Sequence, residues 1–298
     1  MTFPLFHFCT VSLSLMFWQL RSRKLSLEGT LLMGILNLTP DSFSDGGEIV
    51  TVDDALRRAE QMIEEGAVII DIGGESTRPG SKRVSVEEEI ARVARAIEAI
   101  AKRFATPISV DTTKSQVAKA ALDAGAEIVN DISAFRFDEA MPEAVSKHEC
   151  GIVLMHSRGG FETMHSTPPT EDIFKDVASD FSRALTVAHH AGIADEAIAL
   201  DVGIGFGKTL EQNLALINGI GRLRIEFPTY PFVVGASRKS FIGKILDGSP
   251  VDKRLEGSVV SAAIAVYNGV SIVRTHDIKE TSTALKIVDA ICGKSLSQ

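Results

Sequence analysis

The chain has 298 residues, room for one large domain or two. With 45% hydrophobic and 23% charged residues it is globular in composition, which excludes intrinsic disorder. A formal net charge of −8, from 31 Lys and Arg against 39 Asp and Glu with no long basic run, argues against a nucleic-acid partner. Cys9, Cys150 and Cys292 lie far apart and form no C-x-x-C pair. That excludes a disulfide framework and a zinc ribbon, and suits a reducing, cytoplasmic setting.

Residues 1–20 carry no formal charge, and Arg21, Arg23 and Lys24 come directly after them. A signal peptide places its positive charge before the apolar stretch, and a membrane anchor tolerates few interruptions such as Pro4, His7 and Gln19. Residues 1–17 therefore read as an irregular N-terminal extension, expected to be dispensable, and no other stretch approaches membrane-spanning length. From residue 30 onward, short apolar runs rich in Val, Ile and Leu alternate with longer segments of helical period. The runs occupy 31–36, 68–72, 107–110, 127–129, 152–155, 197–200, 231–234 and 270–273. They do not alternate polar with apolar, as expected of strands buried on both faces. In the second helical segment Ile90, Val93, Ala94, Ile97, Ala101 and Phe104 share a face, and Ser85 with Glu88 predicts a capping box. Asp123-Ala124-Gly125 predicts the end of the third helix at a C-terminal glycine.

Eight strand–helix pairs of about 35 residues match an α/β TIM (β/α)₈ barrel. An open doubly wound sheet is the alternative, with its site at a switch point. The polar residues at the ends of the runs decide between them. Asn37, Asp71, Asp111, Asn130, His156, Asp201, Lys239 and His276 each stand at or just past the carboxyl end of a different run. A closed barrel converges all of them on one mouth; an open sheet scatters them. The sequence thus predicts a single barrel domain over residues 18–298 with a polar active site at its C-terminal face.

Two long motifs are far more specific than this pattern. The first is Asn37-Leu38-Thr39-Pro40-Asp41-Ser42-Phe43-Ser44-Asp45-Gly46-Gly47, preceded by Met33-Gly34-Ile35-Leu36. The second is Asp71-Ile72-Gly73-Gly74-Glu75-Ser76-Thr77-Arg78-Pro79-Gly80. With Ser109-Val110-Asp111, Val129-Asn130-Asp131, the stretch 201–208, Ser237-Arg238-Lys239-Ser240 and Arg274-Thr275-His276-Asp277 in order, the chain from about residue 18 to 292 resembles the dihydropteroate synthase family. One departure is Val202, where that family usually carries proline, a change expected to alter loop stiffness more than chemistry.

The resemblance implies condensation of (7,8-dihydropterin-6-yl)methyl diphosphate with 4-aminobenzoate, releasing pyrophosphate, on an Mg²⁺-dependent homodimer. The residue types suit it. A pterin's aminopyrimidinone edge is nearly guanidinium-like and pairs with carboxylates, so Asp111, Asn130, Asp201 and Lys239 are implied to line its slot, with Arg274 over the ring face. Thr77, Arg78, Arg274 and His276 are implied diphosphate ligands, Asn37 an Mg²⁺ ligand, and Ser240 the anchor of the 4-aminobenzoate carboxylate at a helix N-terminus. Phe43 and Pro79 are implied apolar walls. The loops at 41–47 and 73–81 are expected to fold over substrate, the bound anion completing the 4-aminobenzoate pocket.

Plainer readings stand beside each of these. Asp111 suits the N-cap of the helix after it, Asn130-Asp131 suits a turn, and Ser240 suits an ordinary cap. His156 is as readily structural as catalytic and joins no role. The small-residue stretch 258–266 fits either a dimer face or close packing on the barrel. A pterin-binding methyltransferase barrel, or a non-catalytic pterin module, would have no use for both anion loops.

Overall fold

The computed structural model describes residues 17–39, 51–78, 80–164 and 166–294. Eight parallel strands close into a barrel: β3 (Leu31–Asn37), β4 (Ile69–Gly73), β5 (Ile108–Asp111), β6 (Ile128–Asp131), β7 (Gly151–Met155), β8 (Ile198–Asp201), β9 (Phe232–Val234) and β10 (Ile272–Thr275), with β10 pairing β3. Each predicted run overlaps one of these strands, with ends shifted by a residue or two. The closed order excludes the open sheet.

Helices α1 (Val52–Glu64), α2 (Val86–Arg103), α3 (Ser115–Asp123), α4 (Met141–His148), α5 (Ile173–His190), α6 (Leu210–Glu226), α7 (Ser240–Ile245), α8 (Leu255–Tyr267) and α9 (Ile278–Ile291) alternate with the strands. Their inner faces and the outward residues of the strands form the larger core, including Ile70, Ile72, Val110, Val129, Ile152 and Leu200. In α2 the buried face is Glu89, Val93, Ala96, Ile97 and Ile100. Of the predicted face only Ala101 is exposed; Ala94 is half-buried, and Ile90 and Phe104 pack against the core beside Val93 and Ile97, the helix being rotated enough to bury Glu89 as well. The capping box is also only half formed. The Glu88 N–H donates to Ser85 Oγ at 3.1 Å, but the Glu88 carboxylate pairs with Arg92 instead. α3 ends as predicted, at Gly125 with φ of 115°.

A second, smaller core fills the barrel itself. Met33, Ile69, Ile128, Val153, Ala199, Val233 and Ile272 point inward near the amino ends of the strands. The bottom is stoppered by a hairpin, β1 (Phe17–Gln19) against β2 (Lys24–Ser26). Trp18 is fully buried there, and its Nε1–H donates to the carbonyl of Ala197 at 2.9 Å. Phe17, counted with the extension on sequence grounds, is thus the first residue of β1; residues 1–16 lie outside the described residues.

Strand periodicity then places the functional residues. Side chains two apart share a face, so Asp71 stands one layer above Ile69, Asn130 above Ile128, Asp201 above Ala199 and Arg274 above Ile272. The polar residues are the top layer of the barrel interior, held on strands whose lower layers are apolar and packed. Trp18→Ala should remove the stopper and cost about 3–5 kcal/mol. Urea unfolding checks this; an unchanged midpoint would show that the hairpin does not support the barrel.

Candidate active site

A cavity of about 450 Å³ opens at the carboxyl ends of the strands. Asn37, Thr77, Arg78, Asp111, Lys239, Ser240, Arg274 and His276 all contribute to its wall. Beneath it lies a slot of about 60 Å³ that Asp111, Asn130, Asp201, Lys239 and Arg274 share. Every site residue expected from sequence is therefore brought to one place. Phe43, the loop at 41–47 and Pro79 lie outside the described residues.

The charges in the slot are arranged around Arg274. Its Nε donates to Asp71 Oδ2 at 2.6 Å, and its Nη2 to Asp111 Oδ2 at 2.7 Å. Both bonds use the edge of the guanidinium, which leaves its planar face available for stacking. Burial works against the Arg274 charge, but Asp71 and Asp111 more than offset it and hold the group cationic. Asp111 is not a helix cap: α3 is preceded by Lys114, which makes no side-chain cap bond. Burial pushes the Asp111 carboxyl up to about 7 against the pull of Arg274, with Asp71 and Glu89 raising it further. Asp201, 4% exposed, is pushed up to about 6 by burial, while the Gly203 N–H donating to its Oδ1 at 2.7 Å opposes this. Lys239 is lowered by burial, and then by Arg274, to about 8. It lies over the Phe206 ring at 4.0 Å.

Asp71 is the functional residue that the sequence left without a role. It is fully buried. Besides Arg274, it accepts from Asn130 Nδ2 at 3.3 Å, through the same oxygen. That contact turns the amide nitrogen of Asn130 toward Asp71. The position at the head of the second motif was a signal, but its partners are 203 and 59 residues away. No local pattern announces pairings at that range.

The loops around the cavity are pinned by buried polar contacts. Glu75 Oε1 accepts from the Val84 N–H at 2.8 Å and from Lys114 Nζ at 2.9 Å, while Lys114 also reaches Glu89 at 2.6 Å. These contacts close the neck of the loop that carries Thr77 and the exposed Arg78. After β8, Lys208 Nζ donates to the carbonyls of Gly203, Phe206 and His156 at 2.8, 3.1 and 3.2 Å. Gly203 has φ of 65°, and a Cβ there would stand 1.9 Å from the His156 carbonyl oxygen, so only glycine fits. Val202, at the position of the family's proline, is fully buried in this turn. After β9, Arg238 adopts φ of 57° and pairs with Asp277, so Lys239 rather than Arg238 turns into the slot. Ser240 starts α7 as expected, and the ordinary-cap reading fails, because Lys239 holds the cap position, without a side-chain cap bond.

His276 borders the cavity, but it is no cation. Burial, then Arg274, Arg238, Lys239 and Arg78, lower its ring to about 3. His156 is 2% exposed and lowered by burial to about 2, a neutral structural residue beneath the β7 end. Asp131 accepts from Ser133 and Phe135 within its own turn, away from the slot.

The top interior layer of the barrel is thus a set of carboxylates, an amide and two cations around one slot, which opens into the wider cavity above. The family model described as pterin binding enzyme matches residues 33–276. Dihydropteroate synthase from Escherichia coli K12 is 45% identical over 90% of this chain and 96% of its own. The Bacillus subtilis relative of the same name is 44% identical over 90% of each. Among solved structures, the Yersinia pestis dihydropteroate synthase with a sulfonamide drug complex superposes with a TM-score of 0.88 at 41% identity, covering 93% of this chain and all of that one. The Xanthomonas albilineans dihydropteroate synthase with 4-aminobenzoic acid gives 0.86 at 37% identity, covering 93% and 98%. The chain belongs to the pterin-binding barrel enzymes. Within them it is a member of the dihydropteroate synthase family, transferases of folate biosynthesis that join a pterin to 4-aminobenzoate.

The Asp71–Arg274 pair invites a direct test. Asp71→Asn leaves Arg274 buried beside a neutral amide and should cost about 3–5 kcal/mol of stability. In the double variant with Arg274→Met most of that loss should return. Chemical denaturation of both single variants and the double variant measures this, and a double-variant loss equal to the sum of the two single losses would show that the pair is not coupled.

Proposed function

We propose that the inner slot holds the pterin of (7,8-dihydropterin-6-yl)methyl diphosphate, with Asp111, Asn130 and Asp201 on its aminopyrimidinone edge. Lys239 donates to its ring acceptors and the Arg274 face covers the ring. The observation that carries this reading is the sharing of one slot by the carboxylates of Asp111 and Asp201, the amide of Asn130 and the cation Arg274, each from a different strand, with Lys239 from the turn after β9. A flat ring with donors on one edge and acceptors on another satisfies all of them together.

The diphosphate lies outward, toward Thr77, Arg78 and His276, and 4-aminobenzoate places its carboxylate at Ser240. Mg²⁺ fits at Asn37. Its side chain is on the cavity wall, where a side chain at Gly73 would rest 3.5 Å from Oδ1. Among the described residues no group of three His, Cys, Asp or Glu side chains is built to hold a metal. A cation on this single amide oxygen would take its other ligands from diphosphate oxygens and water. When bound, it neutralises charge on the departing pyrophosphate.

The reaction breaks the bond between the pterin methylene and the diphosphate oxygen, and forms a bond from that methylene to the arylamine nitrogen. The nitrogen then sheds its proton to solvent. Positive charge develops on the pterin ring as the bond breaks, and Asp111 beside it stabilises that charge. Arg78 and Arg274 hold the leaving group, and the closed walls hold the amine in line. The arylamine attacks in its neutral form, so no side chain has to act as a strong base. Pyrophosphate release from the pterin diphosphate should therefore require 4-aminobenzoate. Asp201→Asn and Lys239→Ala should each weaken pterin diphosphate binding by about 2–4 kcal/mol while circular dichroism stays native. Unchanged affinity in either titration would contradict the slot assignment.

The raised carboxyls set a pH dependence. An acid whose pKa is raised is protonated below that value, and a protonated Asp111 or Asp201 loses one acceptor for the pterin edge. Pterin affinity should be highest near about pH 8 and fall through pH 7 and 6, in the range of the two raised values, by up to about tenfold per unit for each group. It should fall also above about pH 8, as Lys239 loses its charge. Binding below pH 7 should release protons, seen as a buffer-dependent enthalpy in calorimetry. Affinity constant from pH 8 to pH 5 would show that the carboxylates are not contacts.

The enzyme acts in the cytoplasm as a homodimer; no helix among the described residues is long and apolar enough to cross a membrane. The small residues of α8, with Ser258, Ala262 and Ala265 buried, pack inward on the barrel. Its outer face is large and apolar instead. Val260, Ile264 and Tyr267 are 56%, 44% and 54% exposed, and Ile287 and Ile291 of the neighbouring α9 are also exposed. A second copy covering this face would bury it. Light scattering should give twice the chain mass, falling to one chain mass for Ile264→Glu; a monomeric native protein would contradict the dimer.

A further inference from the structure

Ser237 closes the turn after β9, and its hydroxyl has two partners, both in His276. It accepts from the His276 backbone N–H at 3.2 Å, and Oγ lies 3.0 Å from the ring Nδ1. A hydroxyl has one proton to give. The backbone N–H already occupies an Oγ lone pair, so the hydroxyl proton is free to point at Nδ1. Oγ could instead accept from Nδ1–H through its second lone pair, but its own proton would then have no acceptor among the described residues, so the neutral ring accepts at Nδ1 and carries its own proton on Nε2. Nε2 has no hydrogen-bond partner among the described residues, and the ring borders the cavity.

We propose that Ser237 is a positioning residue that fixes His276 as the Nε2–H tautomer, so that the ring offers a neutral hydrogen-bond donor to an oxygen of the departing pyrophosphate. The opposite tautomer would aim a lone pair at that oxygen and repel it. A protonated ring would donate too, but burial, and then the positive charge of Arg274, Arg238, Lys239 and Arg78, disfavours that form in the ligand-free site. The tautomer is thus the only variable left for the protein to control, and a buried hydroxyl at the end of the adjacent strand controls it. The donor role rests on placing the diphosphate beside His276; the tautomer itself does not.

Two measurements separate these points. Nitrogen-15 NMR of histidine-labelled protein at about pH 7.5, without ligand, should show His276 with a non-protonated Nδ1 and a protonated Nε2. Ser237→Ala should give a mixture of tautomers, and Ser237→Thr, which keeps the hydroxyl, should restore the wild-type pattern. A wild-type ring protonated at Nδ1, or an unchanged tautomer in Ser237→Ala, would overturn the proposal. In calorimetry with Mg²⁺ and pyrophosphate, Ser237→Ala should bind about tenfold more weakly, a low value for a hydrogen bond to a charged group, and Ser237→Thr close to wild type. Equal pyrophosphate affinity in wild type and Ser237→Ala would remove the donor role. Failure of the wild-type protein to bind pyrophosphate would overturn the placement of the diphosphate as well, whereas the NMR result would still decide the tautomer.

Discussion

The buried ion pair of Arg274 with Asp71, extended to Asp111, is the contact on which the site depends. A guanidinium standing above a barrel interior filled with Met33, Ile69, Ile128 and Ile272 has little solvent to stabilise its charge. It survives there because two carboxylates are aimed at its edge. The same geometry leaves the rest of the slot unbalanced. Asp111 is shared between Arg274 and whatever enters, Asp201 is satisfied mainly by one backbone N–H, and Lys239 is buried beside another cation. A barrel mouth with its charge pairs only partly closed suits a ring that offers donors and acceptors on its edges.

The surrounding structure holds that imbalance in place. The strand period puts each slot residue on β6, β8 and β10 one layer above a packed apolar one, so these groups cannot move apart without disturbing the interior. Around the rim, Glu75 with Lys114, Lys208 with three carbonyls, and Arg238 with Asp277 each commit a charged side chain to holding a loop. The result separates two tasks. In the proposed reading, strands hold Asp111, Asn130, Asp201 and Arg274 for the ring, while turns carry Lys239 to it and Thr77, Arg78, Ser240 and His276 toward the leaving anion and the incoming amine.

Much of this was legible in the chain. The eight apolar runs, their lack of alternation and the polar residue after each specify a closed barrel with one mouth, and the closed strand order matches it. The residues that meet at the mouth were also readable, because position at a strand end is a local property. Pairings between strands were not. That Asp71 belongs to Arg274 depends on barrel closure over 203 residues. That Ser237 addresses the His276 ring depends on two adjacent strands ending level. The half-formed cap at Ser85 and the rotated face of α2 failed for a related reason: Arg92 and Glu89 have other charged partners that outweigh the local rule. For the small residues of α8 the sequence left a dimer face and close packing both open, and they pack inward on the barrel.

Burial pushes the carboxyls of Asp111 and Asp201 up toward about 7 and about 6, and the proposed pterin contacts would draw both back toward the ionised form. Carbon-13 NMR of the aspartate carboxyl groups tests this most directly. In the ligand-free protein two aspartates should titrate near pH 7 and pH 6, as burial dictates, and saturating pterin diphosphate at pH 6 should shift both to the ionised position. If both titrate near about pH 4, the ordinary range of an aspartate, the site is not poised in this way and the account of its charges is wrong.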